Sequence, residues 1–303
     1  MYLSEDRIRA VLTYDALIPA IRQALIDYSA GKVEQPPRQI IRVRDEAGAP
    51  IGWFATMPAI AGKYMGVKTV TFYPGNSALP TPVPTHLAMI ELLNRATGEP
   101  LAVMAGRLIT EMRTAAVSAV AVTALAPEAR TLGILGSGVQ ARSHVEALRE
   151  AIPAFRQSRS IRIWSRNREN AAALAGQVSA EAATIEEAAG SDVVVTVTSA
   201  TTPVLQGRWL KPESLVVAVG AVGPQLRELD DEVMSGTLIA ESRQGAESES
   251  GDVLLSGARV YAEIGEILAG SVAVPPPGRR VFKSLGMAIE DLTSAALVWQ
   301  SLI

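Results

Sequence analysis

The sequence predicts an α/β protein in which a doubly wound parallel sheet is joined to an α+β unit. Three observations carry this. From residue 131 onward, short apolar runs alternate with helical segments, as in a parallel sheet covered on both faces. The first of these runs ends in a glycine-rich bend that opens a helix. Before residue 113 the pattern differs, with strand-like runs separated by turn signals.

The elements follow in order. Residues 13–31 read as a helix: Thr13 can cap it, Leu17, Ile21, Leu25 and Tyr28 recur at about one turn, and Gly31 closes it. Pro36-Pro37 ends helical structure, and residues 38–43 alternate as a strand with one solvated face. Asp45-Glu46-Ala47-Gly48 is a turn, with residues 51–54 as the returning strand. Residues 68–72 are β-branched and form another strand, and the proline-rich stretch 74–84 is an ordered loop. Residues 86–105 form a hairpin turning at 94–98, and the Ala-rich stretch 114–125 is a helix. The parallel sheet takes residues 131–135, 161–164, 193–198, 215–219 and 238–240. Pro275-Pro276-Pro277-Gly278 is a rigid connector to a strand at 281–284 and a last amphipathic helix at 286–301.

Composition narrows the function. The 303 residues suit two domains, and 48% apolar content is enough to bury a core. The net charge of -3 leaves no electrostatic footprint for nucleic acid or an anionic membrane. With no cysteine, disulfides, thiolate catalysis and zinc-thiolate sites are excluded, and two histidines cannot build a His-rich metal site. The longest apolar stretch, 115–126, is short of the ~18–20 residues of a spanning helix. The first residues lack a basic segment followed by an apolar one, so no signal peptide is read and a cytoplasmic location is expected.

The strongest motif is TLGILGSGVQARSHVEAL, residues 131–148. Gly136, Gly138 and Ala141 give the G-x-G-x-x-A spacing between a strand and a helix. Gly136 permits the tight turn, Gly138 lets the backbone approach a pyrophosphate, and Ala141 lets the helix pack on the strand. The N–H groups of the helix N-terminus then face the phosphates. This is the Rossmann-type dinucleotide fingerprint. At the tip of the second strand an acidic residue would accept from the ribose 2′-hydroxyl of NAD. Here the tip reads Trp164-Ser165-Arg166-Asn167, with no acid. Arg166 can grip a 2′-phosphate and Ser165 can donate to it, so NADP(H) is expected over NAD(H).

Three cations lie among apolar or small neighbours: Arg38 after Pro-Pro, Lys68 within a strand, and Arg113 before Thr114-Ala115-Ala116. A buried cation needs a partner, and a substrate carboxylate or a cofactor phosphate would serve. Other groups receive plainer readings. Asp230-Asp231-Glu232 is a helix N-terminal charge run rather than a metal site. Glu247, Glu249 and Asp252 belong to a solvated loop, and Asp252 and Asp291 are assigned no chemistry. His144 is structural, and the four tryptophans are too scattered for a stacking platform.

Several blocks resemble the ornithine cyclodeaminase/mu-crystallin family: residues 113–126, 132–144, 227–232, 249–258 and 281–292, with Pro36-Pro37-Arg38 weaker. The resemblance spans nearly the whole chain and is nearer to the mu-crystallin-like ketimine reductases than to the cyclodeaminases. It implies a homodimer in which residues 1–113 with 283–303 form the substrate-binding and dimerisation domain, and 114–282 the NADP(H)-binding Rossmann domain. It implies that Arg38 and Lys68 face a substrate carboxylate and that Arg113 lies near substrate and cofactor, with Lys68 and Arg113 the catalytic candidates. It places Gly138, Val139 and Gln140 at the pyrophosphate and Ser165, Arg166 and Asn167 at the 2′-phosphate. Thr85, His86, Val219 and Ser284 match positions near the cofactor, and Thr198 is counted with them. One departure stands out: Val222 replaces an aspartate that cyclodeaminases carry. Valine moves no proton, so reduction of a cyclic ketimine carboxylate to a proline- or pipecolate-like amino acid is expected. The alternatives are an alanine-type dehydrogenase, an opine-type reductase, a cyclodeaminase and a non-catalytic NADPH-binding protein.

Overall fold

The computed structural model describes residues 1–156 and 158–303. The chain divides into two units, Met1–Arg113 with Met287–Ile303, and Thr114–Gly286. The return to the first unit comes at Met287, past the expected 283, because Arg280–Lys283 is an interior strand of the second unit's sheet.

The first unit holds a six-stranded sheet made of β1 (Tyr2–Leu3), β2 (Gln39–Arg44), β3 (Pro50–Ala61), β4 (Tyr64–Phe72), β5 (His86–Asn94) and β6 (Pro100–Ala105). Its order is β1-β6-β5-β4-β3-β2. Neighbours from β2 to β6 are antiparallel, and β1 pairs in parallel with β6. The β3 strand runs well past the expected 54. Its inner positions Ala55, Met57 and Ala59 are buried opposite Val70, Lys68 and Gly66, and this burial outweighs the strand-breaking Pro58. Pro58 lies beyond the pairing of β3 with β2, where a missing N–H is tolerated. On the inner face, Ile90, Leu92, Ala102 and Met104 continue the core beneath α2 (Tyr14–Ser29) and the C-terminal helix, Ala288–Gln300. A short α1 (Glu5–Arg9) precedes α2. The long α3 (Gly106–Leu125) starts eight residues ahead of the expected 114. By length and hydropathy it could pass for a membrane span, but 83% of its most apolar window is buried within the protein.

The second unit is an eight-stranded parallel sheet: β7 (Leu132–Leu135), β8 (Ile161–Trp164), β9 (Glu181–Ala182), β10 (Val193–Thr196), β11 (Leu215–Ala218), β12 (Thr237–Ala240), β13 (Val260–Glu263) and β14 (Arg280–Lys283). The order is β13-β12-β14-β11-β10-β7-β8-β9. The sequence reversal beside β7 is the doubly wound arrangement, and it places the crevice at the C-terminal ends of β7 and β10. Every residue of β7, β10 and β11 is buried, which explains why their side chains are apolar except for Thr196, whose hydroxyl donates to Glu228. Helices α4 (Val139–Ala151), α5 (Arg168–Gln177) and α6 (Ile185–Ala189) follow β7, β8 and β9. Further short helices are α7 (Asp231–Met234), α8 (Arg243–Glu249), α9 (Gly251–Ser256) and α10 (Ile264–Leu268). Asp230 caps α7 by accepting from the Val233 N–H, as the charge run suggests. The segment expected as a solvated loop around Gly251 is instead α8 and α9, with Gly251 and Asp252 buried.

A glycine explains the closest packing of the sheet. A Cβ at Gly133 would overlap the Ala188 carbonyl, so α6 can lie against β7 only with no side chain there. Gly133→Ala should therefore cost about 1–3 kcal/mol, as overpacking does. Urea unfolding at neutral pH checks this, and an unchanged midpoint would contradict the packing.

Candidate active site

Two sets of residues are candidates for function, one within each unit. In the first unit, Lys68 sits on the inner face of β4 between Met57 and Ile90 and is only 3% exposed. An ammonium there needs an anion. It finds one in Asp291, with Nζ 2.6 Å from Oδ2. The other carboxylate oxygen accepts from Arg113 Nε at 3.1 Å, and Glu290 Oε2 accepts from Arg113 Nη1 at 2.6 Å. Arg113 lies on α3 and is 5% exposed, while both carboxylates lie in the first turn of the C-terminal helix. Gln35 ties the segment before Pro36-Pro37-Arg38 to that turn by accepting from the Ile289 N–H at 2.8 Å. Arg38 is half-buried, and its charge reaches Lys68. The three predicted cations are thus brought together within one unit.

Lys68 is the perturbed group of this cluster. Burial pushes its pKa down to about 8; Asp291 opposes the change, and Arg113 and Arg38 add to it. His86 lies on the same face, packed on Phe72 at 4.5 Å between ring centroids, and Trp53 packs on Phe72 at 5.6 Å. Desolvation, and secondly the charge of Lys68, hold the His86 imidazole below its usual range. The Thr85 hydroxyl lies 3.3 Å from His86 Nδ1. Trp53 thus forms an aromatic row with Phe72 and His86 and with none of the other tryptophans among the contacts described.

In the second unit, β7 runs into Gly136, whose φ of +134° favours glycine and whose N–H donates to Trp164 O. Space is open where a Cβ at Gly138 would lie, and no side chain caps the N-terminus of α4. Gln140 Oε1 is buried there with no hydrogen-bond partner. An open cradle, uncapped N–H groups and an orphaned polar atom fit the pyrophosphate of a dinucleotide. Ser137 Oγ donates to Ser165 Oγ at 2.9 Å, joining the bend to the tip of β8. Arg166 is exposed at that tip, and the Asn167 side chain caps α5 by accepting from the Glu169 N–H.

The remaining expected residues are placed as follows. Thr198 donates its hydroxyl (2.6 Å) and its N–H (2.7 Å) to buried Glu228. Val219 follows β11 and is buried, and Ser284 follows β14 with its Oγ buried and without a hydrogen-bond partner. Behind the bend, His144 donates Nδ1–H to Gln140 O at 2.7 Å, while Ser118 Oγ lies 2.9 Å from Nε2. The structural reading of His144 agrees with these contacts.

Sequence reasoning missed four acids. Asp291 and Glu290 hold the cations of the first unit. Asp252 is fully buried, pairs with Lys283 at 3.0 Å and accepts from the Glu228 N–H at 2.9 Å. Glu228 is fully buried, and desolvation raises its pKa. The available signal was in the pattern: Glu290-Asp291 opens an otherwise apolar helix, and such acids need cations.

Sheet order, bend and uncapped helix define a dinucleotide-binding α/β protein. A sequence profile of the ornithine cyclodeaminase/mu-crystallin family matches residues 1–303, and the chain belongs to that family. The ketimine reductase mu-crystallin of Mus musculus is 43% identical over 99% of this chain and 96% of its own. The structure of Thermococcus litoralis Δ1-pyrroline-2-carboxylate reductase in complex with NADH and L-proline superposes with a TM-score of 0.89 at 32% identity, covering 99% of this chain and 97% of that one. An archaeal alanine dehydrogenase dimer with bound NAD gives a TM-score of 0.90 at 27% identity, covering 99% and 95%.

The buried imidazole gives a pH test. Desolvation holds His144 at about 4 in the folded chain, against 6.5 when solvated. A depressed folded value means that stability is complete above about 6.5 and falls as pH drops toward 4. The loss from this group is about 3 kcal/mol. His144→Asn should flatten the pH dependence of urea unfolding across that window; an unchanged slope would contradict neutral burial.

Proposed function

We propose that this protein reduces a cyclic ketimine carboxylate, of the Δ1-pyrroline-2-carboxylate or Δ1-piperideine-2-carboxylate type, to the cyclic amino acid, using NADPH. It is an oxidoreductase acting on a C=N bond. The observation that carries the reading is the gathering of Arg38, Lys68 and Arg113 in a chain whose other unit has an open glycine bend. The family's named imine reductases support it.

Gly138, Val139 and Gln140 would hold the pyrophosphate, and Ser165, Arg166 and Asn167 the 2′-phosphate. When bound, the reduced nicotinamide supplies a hydride to the imine carbon. Arg38 and Arg113 bind the substrate carboxylate by charge-assisted hydrogen bonds, which fixes the ring's orientation. Lys68, with a pKa near working pH, holds the proton needed at the imine nitrogen and delivers it directly or through a water. Gly220-Ala221-Val222-Gly223-Pro224 carries no titratable side chain, which favours simple reduction over deaminating cyclisation.

The preference for NADP(H) rests on the acid-free tip of β8 and on exposed Arg166. The protein is a homodimer in this reading. The outer face of the first sheet carries exposed Ile41, Leu87 and Met89 around a row that includes Phe54 and Thr71, and such a face suits a second copy.

NADPH consumption against a panel of cyclic imino acids, and of 2-keto acids with and without amines, tests the reading; no turnover of any imino acid would overturn it. Lys68→Met should lower kcat by about 10²- to 10⁴-fold. Arg38→Met should raise KM for the imino acid at least about tenfold and leave NADPH affinity unchanged. Arg166→Ala should weaken NADPH about 10- to 100-fold with little effect on NADH, and equal losses would contradict the 2′-phosphate contact.

A further inference from the structure

We infer that Asp291 is a positioning residue of this site, holding Lys68 and Arg113 on the two oxygens of one carboxylate and setting the pH range over which Lys68 can serve as proton donor. The inference rests on the imine-reductase reading above and assigns a role that this reading leaves open. It starts from geometry. Asp291 Oδ2 is 2.6 Å from Lys68 Nζ, and Oδ1 accepts from Arg113 Nε at 3.1 Å. All three side chains are nearly sealed from water. Lys68 and Asp291 meet as a close, buried ion pair, so the carboxylate fixes where the ammonium sits. A guanidinium held at Nε by Asp291 and at Nη1 by Glu290 has its plane fixed as well. Asp291 therefore sets the separation of the two cations, and together with Glu290 it sets the plane of the guanidinium.

The same contact governs the charge of Lys68. The groups acting on it are Asp291 on the C-terminal helix, Arg113 on α3 and Arg38 before β2, while His86 on β5 feels the lysine in turn. Burial and the two arginines drive the proton off; Asp291 alone among these keeps it on. Glu290, the neighbouring acid, is paired with Arg113. The two adjacent carboxylates are thus expected to differ in effect: Asp291 sets both the alkaline limit of activity and the alignment, whereas Glu290 acts on Arg113.

The test is the pH profile of kcat/KM for the imino acid at saturating NADPH, in the full-length protein. Asp291→Asn removes the charge at nearly constant shape. It should move the alkaline limb, expected near pH 8 in the parent protein, downward by about 1–3 pH units, the range that loss of a close opposite charge gives. It should lower kcat more than it changes NADPH affinity, which fluorescence titration reads. Glu290→Gln should leave the limb in place. Asp291→Glu keeps the charge but moves it by one methylene, so its limb should stay near that of the parent while kcat falls. If Asp291→Asn does not fold, as judged by circular dichroism, Asp291→Glu carries the test, and a shifted limb or an undiminished kcat in it would overturn the inference. An unmoved limb in folded Asp291→Asn, or an equal shift in Glu290→Gln, would overturn it too. Lys68→Met separates the two levels. If that variant loses turnover while Asp291→Asn leaves the limb unmoved, the reading stands and the inference fails; full turnover in Lys68→Met with the limb intact would overturn both.

Discussion

The carboxylate pair at the start of the C-terminal helix is the constraint around which the first unit is organised. Lys68 and Arg113 lie on a sheet and a helix that would otherwise be apolar there, and two cations so placed repel each other and lose their hydration. Glu290 and Asp291 offset both costs, but they belong to the last 14 residues of the chain. The chain therefore has to build the second unit and then return. Leu292, Ala295 and Val298, buried on the same helix, supply the apolar contact that holds the acids in place.

The second unit solves a similar problem differently. At the C-terminal ends of β11 and β14, Lys283 donates to Gly220 O at 2.7 Å and pairs with Asp252, while Glu228 accepts from Thr196 and Thr198. A Cβ at Gly220 would overlap the Glu228 carboxylate, so the strand end and the acid fit only with glycine at that position. These charges are consumed in fixing the loops that follow the strands. Those of the first unit are gathered on one face with Lys68 in a perturbed state. A buried group held close to working pH marks chemistry more often than one fully committed to its neighbours.

Much of the fold was legible, because periodicity reports burial directly. The short apolar runs of β7, β10 and β11, alternating with helical segments, read as strands covered on both faces, and the glycine bend marks the end of the first of them. Elements whose burial is decided by distant partners were not legible. The far half of β3 contains Pro58 and alternating alanines and needs β4 opposite it to read as a strand. The short β13 and α10 carry too little pattern to stand out. At the site, the cations could be found because they interrupt apolar runs. Their anions lie 177 to 223 residues further along, and acids at a helix start have an ordinary explanation in the helix dipole. Trp53, Phe72 and His86 met for the same reason: only register across β3, β4 and β5 aligns them.

Family membership narrows the chemistry, and the particular residues choose within it. In the proposed reading, the acid-free β8 tip is the ground for NADP(H), Val222 in the loop after β11 is the ground for simple reduction, and Arg38 with the paired cations is the ground for a carboxylate substrate. The most direct measurement is calorimetric titration of the NADP⁺-loaded protein with pyrrole-2-carboxylate, a planar ring acid that cannot be reduced in the same way, and with its uncharged carboxamide. The account requires the acid to bind and the amide to bind at least about tenfold more weakly, as loss of a charge-assisted contact implies. Equal affinity for the two would show that the gathered cations do not serve a substrate carboxylate.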